Sequence, residues 1–378
     1  MVEWKKLGEI ANITIGEFVH RDKQNPKAKY PVYNGGTTYT GFYEYYNNTG
    51  NKIVISARGY AGFVNRVFDN YWAGNSSYSI DINNSKVLWH FVYYYLKNEQ
   101  YNIMSMQQKG GGLAAISKKQ VQELLIPIPS LSEQQRIVSI LDTFTSSISN
   151  LKQQIEERRK QYEYERDLLL DLEGKEGVEM KKLEECVLFI TDGDHQPPPK
   201  SSEGIPFVTI SDIEKLSHTI DFSNTFFVPQ EYYNSLKSDK KAKKGDVLYT
   251  VTGSFGIPVL IEDNREFCFQ RHIALIRPNN TIALSRYIYH WLCSNYAKKQ
   301  GEEKASGGAQ KTVSLNSLRS FRFYYPPLQA QSRIVSILDT FEQSIANLEE
   351  QLAMREKQYE YYRNQLLTFE GEEERGKT

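Results

Sequence analysis

The chain is poor in the residues that most often announce a reactive centre. Its 378 residues include three cysteines and six histidines. Cys186, Cys268 and Cys293 are odd in number and form no C-x-x-C pair, which speaks against a zinc site or a disulfide framework and for a reducing, cytoplasmic setting. No run approaches the roughly 18 consecutive apolar residues of a membrane span, and the opening "MVEWKKLGEI" lacks the apolar centre of a secretory signal. There is no G-x-x-x-x-G-K-[ST] phosphate loop, because the terminal "GKT" has no glycine at the required distance upstream. No asparagine–proline–proline–aromatic string, the usual mark of an adenine methyltransferase, occurs either. Catalysis and a bound cofactor are therefore not expected in this chain.

Net charge is also missing: 46 basic residues balance 46 acidic ones. The zero conceals a partition. Residues 1–130 carry 14 basic and 9 acidic side chains, and residues 131–177 carry 7 and 10. Residues 178–327 carry 19 and 17, and residues 328–378 carry 6 and 10. Two mildly basic blocks alternate with two acidic ones. Affinity for phosphate depends on local clustering, so the neutral total does not exclude a nucleic-acid partner.

What the chain does have is repetition. "RIVSILDTF" occurs at Arg136–Phe144 and again, unchanged, at Arg333–Phe341. The match extends without gaps over "QRIVSILDTFTSSISNLKQQIEERRKQYEYERDLLLDLEGKE" and "SRIVSILDTFEQSIANLEEQLAMREKQYEYYRNQLLTFEGEE", and "EWKKLGEI" at Glu3 is echoed by "EMKKLEEC" at Glu179. The order is variable block (1–130), shared block (131–174), variable block (178–327), shared block (328–371).

Each shared block reads as a long helix. In the first, Ile137, Leu141, Phe144, Ile148, Leu151, Ile155, Tyr162 and Leu169 fall on one seam, first at alternating steps of four and three and then at two whole heptads of seven. In the second, Ile334, Leu338, Phe341, Ile345, Leu348, Leu352, Tyr359 and Leu366 do the same. An average step of 3.5 residues is the coiled-coil pattern. Prolines 127, 129, 326 and 327 mark the entrances, and Gly174 and Gly371 the exits. About 40 residues at 1.5 Å each make a rod of roughly 60 Å. If the second helix turns back along the first, both seams are buried within one chain and a pseudo-twofold axis results, so an antiparallel coiled-coil hairpin is expected, with pairing between chains as the alternative.

The variable blocks read as α/β or α+β domains. "NKIVISA", "SYSIDI", "DVLYTV", "IPVLIED" and "HIALIR" are strand-like. An aromatic helix follows in each block, "KVLWHFVYYYLKN" and "SRYIYHWLCSNYAKK", its stripe read as core. Glycine turns "ARGYAG" and "TGSFG" join corresponding strands, and "QKGGG" and "ASGGAQK" precede the last strand of each block.

Two unlike domains alternating with two near-identical helices, together with "WKKLGEI", "PIPSLSEQQRIVSILD", its echo "YPPLQAQSRIVSILD", and "TDGDHQPPP" with "GIPFVTISDI", resemble the specificity subunits of type I restriction–modification systems over essentially the whole chain. The second copy departs from the pattern, with "LQAQSR" where the first has "LSEQQR", so Glu133 has no counterpart there. The resemblance implies a non-catalytic, DNA-reading subunit whose target-recognition domains each read half of a bipartite asymmetric sequence. It also implies a spacer that docks two methyltransferase subunits, restriction subunits that join them, and S-adenosylmethionine bound to the methyltransferase partner. A rod of roughly 60 Å spans fewer than two turns of double-stranded DNA at about 34–36 Å each, which bounds the half-site spacing.

Base and phosphate contacts need long polar side chains on rigid turns. In the first domain the candidates are Arg58 in the glycine turn, with Tyr60 and Arg66, then Asn34, Thr37 and Thr38, and the loop lysine Lys109. In the second they are Thr252 and Ser254 on the matching turn, Arg271 and His272, His195 and Gln196 in "TDGDHQPPP", and Lys311. The basic run "KSDKKAKKGD" reads as a solvated turn. Asp192, Asp194 and His195 are too few for an oxygen-ligand metal site. Two other functional classes remain compatible with the residues alone: a coiled-coil adaptor that never touches DNA, and a nuclease built on Asp192, Asp194 and His195.

Overall fold

The computed structural model describes residues 2–107, 114–308 and 310–369. The chain divides into two compact units, one built from Met1–Lys152 and the chain from Glu350 onward, the other from Gln153–Glu349. Two forty-residue helices, Leu131–Leu170 and Leu328–Leu367, thus each begin in one unit and end in the other.

The first unit contains β1 (Glu3–Lys6), β2 (Ala11–Ile15), β3 (Tyr30–Tyr33), β4 (Gly41–Tyr43), β5 (Lys52–Ser56), β6 (Val64–Val67), β7 (Trp72–Ala73), β8 (Ser77–Ile82) and β9 (Leu125–Ile128). They form an antiparallel four-stranded sheet in the order β2-β8-β5-β6, a three-stranded sheet β4-β3-β7 with β3 and β7 parallel, and a β1-β9 ribbon. β5 is buried on both faces, which explains its unbroken β-branched run. Ile53 and Ile55 enter the main core, while Val54 packs beside Val67, Tyr71 and Ala73. The aromatic helix is Trp89–Asn98, and Phe91, Tyr94 and Tyr95 are core.

The second unit repeats this plan with β10 (Glu179–Lys182), β11 (Val187–Asp192), β12 (Ile205–Val208), β13 (Ile213–Glu214), β14 (Thr219–Ile220), β15 (Phe226–Val228), β16 (Val247–Thr250), β17 (Pro258–Leu260), β18 (Cys268–Phe269), β19 (Ile273–Pro278) and β20 (Arg322–Tyr325). The sheets are β11-β19-β16-β17, β15-β12-β18 and β10-β20, with β13-β14 as an added hairpin. Its aromatic helix, Ser285–Cys293, buries Tyr287 and Trp291.

The long helices run antiparallel inside each unit. In the first, Ile137, Val138 and Leu141 share a core with Tyr359, Leu366, Leu367 and Phe369. The Phe144 ring lies 5.4 Å from Tyr362 and 6.4 Å from Tyr359, with the Arg355 guanidinium 5.6 Å above it. In the second, Ile334 and Leu338 share a core with Tyr162, Leu169 and Leu170. Phe341 lies 6.4 Å from Tyr162 and takes the Arg158 guanidinium at 5.9 Å. Corresponding residues of the repeat make corresponding contacts in both units, as a duplication requires. All sixteen apolar seam residues named from the heptad spacing are buried or half-buried.

The feature the two helix entrances share is Gln134 and Gln331, both fully buried. The Gln134 side-chain oxygen accepts from the Leu88 N–H at 2.8 Å, and its amide donates to the Lys86 and Pro129 carbonyls. Gln331 does the same with Leu284 N–H, Ile282 O and Pro326 O. Each amide thereby ties the start of a long helix to the start of an aromatic helix. Glu133, by contrast, only pairs with Arg136 one turn along a solvated face, and Ala330 stands in its place in the second copy. Replacing Gln134 or Gln331 by leucine strands one N–H and two carbonyls, a loss of about 3 kcal/mol in denaturant titration. The same change at exposed Gln135 is expected to stay within about 0.5 kcal/mol.

Candidate nucleic-acid interface

The turns joining β5 to β6 and β16 to β17 are held by matching backbone hydrogen bonds. In the first unit, Ala57 N–H reaches Ser76 O (2.7 Å), Ile116 N–H reaches Ala57 O (3.0 Å), Gly59 N–H reaches Ala114 O (3.2 Å) and Gly62 N–H reaches Ser56 O (2.8 Å). In the second, Val251 N–H reaches His272 O (2.9 Å), Val313 N–H reaches Val251 O (2.8 Å), Gly253 N–H reaches Lys311 O (3.0 Å) and Gly256 N–H reaches Thr250 O (2.9 Å). The register sets Arg58 against Thr252, Tyr60 against Ser254 and Ser76 against His272. Gly59 and Gly253 have φ of 74° and 72°, and Gly62 and Gly256 have 88° and 93°, a left-handed backbone that favours glycine. These glycines set the turns in a common shape while the residues between them differ.

A second loop joins each frame where β2 and β11 end. A side chain at Gly16 would strike the Ala73 carbonyl, and one at Gly193 the Phe269 carbonyl, each about 2 Å away. Glu17 N–H bonds Ala73 O, and Asp194 N–H bonds Phe269 O. The loops 16–20 and 193–197 therefore cross the small sheet at the same point.

In the first unit Arg58, Thr37 and Thr38 are exposed, and Tyr60 keeps 58% of its surface. The Tyr60 N–H bonds Gly35 O at 3.0 Å, which draws the threonine loop to the glycine turn. Asn34 underlies them, its side-chain oxygen accepting from Ser76 N–H at 3.0 Å. Arg66, also named from the sequence, is engaged on the long helix. Its guanidinium is bound to Asp142 on the long helix at 3.0 Å and lies over Phe68, Tyr93 and Tyr94, a half-buried pairing that directs it to the helix and not to the glycine turn. Lys109 lies outside the described residues.

In the second unit His195, Gln196, Ser254, Arg271 and Lys311 are exposed and His272 is half-buried. Arg271 N–H bonds Asp194 O, Val251 N–H bonds His272 O and Gly253 N–H bonds Lys311 O, so the backbone of four loops converges there. Burial and then the neighbouring Arg271 charge hold the His272 imidazole below its ordinary value, leaving it neutral at physiological pH. Thr252, also named from the sequence, is only 8% exposed, and its hydroxyl accepts a hydrogen bond from the Thr312 hydroxyl at 3.3 Å beneath the turn.

The acidic residues of this loop are already engaged. Asp192 accepts from Lys240 at 3.0 Å and His195 at 2.9 Å. Partial burial alone would raise its carboxyl, but those hydrogen bonds outweigh it and hold the group below the usual range. Asp194 accepts from Tyr232 and from Gln196 N–H. Lys240, from the basic run, is spent on this internal pair, and Lys241 lies over the Tyr233 ring.

Register identifies two positions the sequence reading overlooked. Phe18, 57% exposed, corresponds to His195, and Asn75 corresponds to Arg271. The signal was present in "TIGEF" beside "TDGDH", masked by the difference in flanking residues.

Two structurally matched units presenting dissimilar loop side chains, joined through a duplicated helix pair, define a two-part recognition protein. A family profile described as type I restriction modification DNA specificity domain matches residues 1–158 and 176–354, and the chain belongs to that family, the DNA specificity subunits of type I restriction–modification systems. It is 31% identical, over 97% of its length and 96% of the relative's, to a Haemophilus influenzae chain named as a type I restriction enzyme specificity subunit. It is 28% identical, over 97% and 94%, to a type I restriction enzyme specificity subunit of Escherichia coli. The crystal structure of a type I restriction–modification S subunit from M. genitalium shares its fold, with a TM-score of 0.66 at 19% identity over 98% of this chain and 96% of that one. Those names accord with the non-catalytic role read from the sequence. No helix among the described residues is long and apolar enough to cross a membrane.

Gly59→Ala forces left-handed backbone on a residue whose methyl group would sit 2.9 Å from Gly35 O. The expected cost is about 2 kcal/mol. Gly253→Ala meets only the movable end of Gln310 at 3.2 Å and is expected to cost about 1 kcal/mol. Denaturant titration of the two variants checks the order.

Proposed function

We propose that the two units each read one half of a bipartite, asymmetric double-stranded DNA target, and that the helix pair fixes the half-site spacing and docks two methyltransferase subunits. The observation that carries this reading is the common backbone frame filled with unlike side chains: Arg58, Tyr60 and Phe18 in one unit, Ser254, Arg271 and His195 in the other. Identical frames meet chemically similar duplexes in the same attitude, and unlike side chains read different bases. The half-sites therefore differ and the target is not a palindrome. Thr37, Thr38, Gln196 and Lys311 lie on the same loop faces and complete the proposed contacts. S-adenosylmethionine belongs to the methyltransferase subunits in this reading, restriction subunits join the assembled core, and the complex works in the cytoplasm.

An assembly of the chain with its methyltransferase partner is expected to methylate a target at one half-site spacing only. Inserting three base pairs between the half-sites should abolish modification, and indifference to the insertion would overturn the reading. Arg58→Ala is expected to weaken binding by about 1–3 kcal/mol and to relax sequence preference in one half-site alone. Duplex binding that falls steeply with salt supports DNA contact over a protein adaptor, and titration between low and physiological salt measures the slope.

A further inference from the structure

Asp142 and Asp339 are the seventh residues of the two "RIVSILDTF" copies. In the first unit an Asp142 carboxylate oxygen accepts from the Arg66 guanidinium at 3.0 Å and from the Tyr94 hydroxyl at 2.5 Å. In the second, an Asp339 oxygen accepts from Arg286 Nε at 2.7 Å and from His290 Nε2–H at 2.9 Å. Tyr94 and His290 are both fully buried. They occupy the same place in the aromatic helices, six residues beyond Leu88 and Leu284, whose N–H groups meet Gln134 and Gln331.

The arginines do not correspond. Arg66 comes from β6, where strand register puts Leu260 of β17 in the second unit. Arg286 comes from the aromatic helix, at the place held by His90 in the first unit. A guanidinium thus reaches the repeated aspartate from two unrelated positions. His290, Asp339 and Glu342 bring ligand atoms within 4.8 Å of one another, yet the cation they hold is the chain's own Arg286, which also bonds Glu342 at 2.8 Å.

Apolar packing between a domain and a helix tolerates sliding, whereas a charge-assisted hydrogen bond joined by a second donor on the same carboxylate oxygen fixes direction. We propose that Asp142 and Asp339 are positioning residues that lock the attitude of each recognition domain on the long helices it packs against. The consequence for DNA rests on the function proposed above; the lock itself does not. The repeated peptide keeps its aspartate because each domain must be held by its helix, whichever element supplies the arginine.

The test uses the full-length chain carrying spin labels on non-natural residues at positions 22 and 150, both exposed and both in the first unit. The native chain is expected to give one narrow distance distribution. Asp142→Asn and Arg66→Leu should each broaden it by roughly twofold while circular dichroism confirms folding. Adding His90→Arg to Arg66→Leu copies the second unit's arrangement and should restore the narrow distribution. Folded single variants that keep the native width, or a double variant as broad as Arg66→Leu alone, would overturn the proposal. With methyltransferase present, Asp142→Asn should modify targets one base pair off the preferred spacing better than the native chain does. A native chain with no spacing preference would refute the proposed function while leaving the distance result to judge the lock.

Discussion

Neither domain closes its core without helix from both halves of the chain. Leu366 and Leu367 pack in the core that holds Leu7, Ile55 and Phe91, and Leu169 and Leu170 pack in the core that holds Tyr249, Tyr287 and Trp291. The antiparallel pairing of related helices is therefore part of domain stability and not an appendage to it. Burying a Leu or Phe side chain is worth roughly 1.5–3 kcal/mol, so the few apolar residues each helix end contributes weigh heavily in a marginally stable fold. The glutamine shared by the two helix entrances follows from the same constraint, because Gln134 and Gln331 meet corresponding backbone groups in each unit.

The loops show the complementary economy. Backbone hydrogen bonds and left-handed glycines are duplicated, while the residues facing outward are not. A frame that keeps its geometry while its side chains vary allows recognition to change without refolding, which is what a specificity subunit requires. The shared frame also separates roles that residue type alone confuses. Arg58 and Arg66 are both arginines near one hairpin, but one projects from the turn and the other is committed to Asp142.

Much of the fold was legible in the sequence because duplication supplies an internal control. The heptad steps named the seam from Ile137 to Leu169, and an antiparallel hairpin followed from the need to bury two seams in one chain. The glycines of "ARGYAG" and "TGSFG" align the two exposed turns in the sequence itself. The burial of Thr252 and the capture of Arg66 were not legible, since both depend on a partner distant in sequence, Thr312 and Asp142. The correspondence of Phe18 with His195 was hidden for another reason. It is fixed by a backbone crossing at Gly16 and Gly193, and the side chains around it have nothing in common.

Native-state hydrogen exchange tests the shared core most directly. If each unit is sealed by both helices, amides at Val138 and Leu141 and amides at Leu366 and Leu367 should open together, with one common free energy that responds equally to denaturant. Exchange of the last turns of Leu328–Leu367 at the rate of a frayed helix end, while Val138 and Leu141 stay protected, would contradict it.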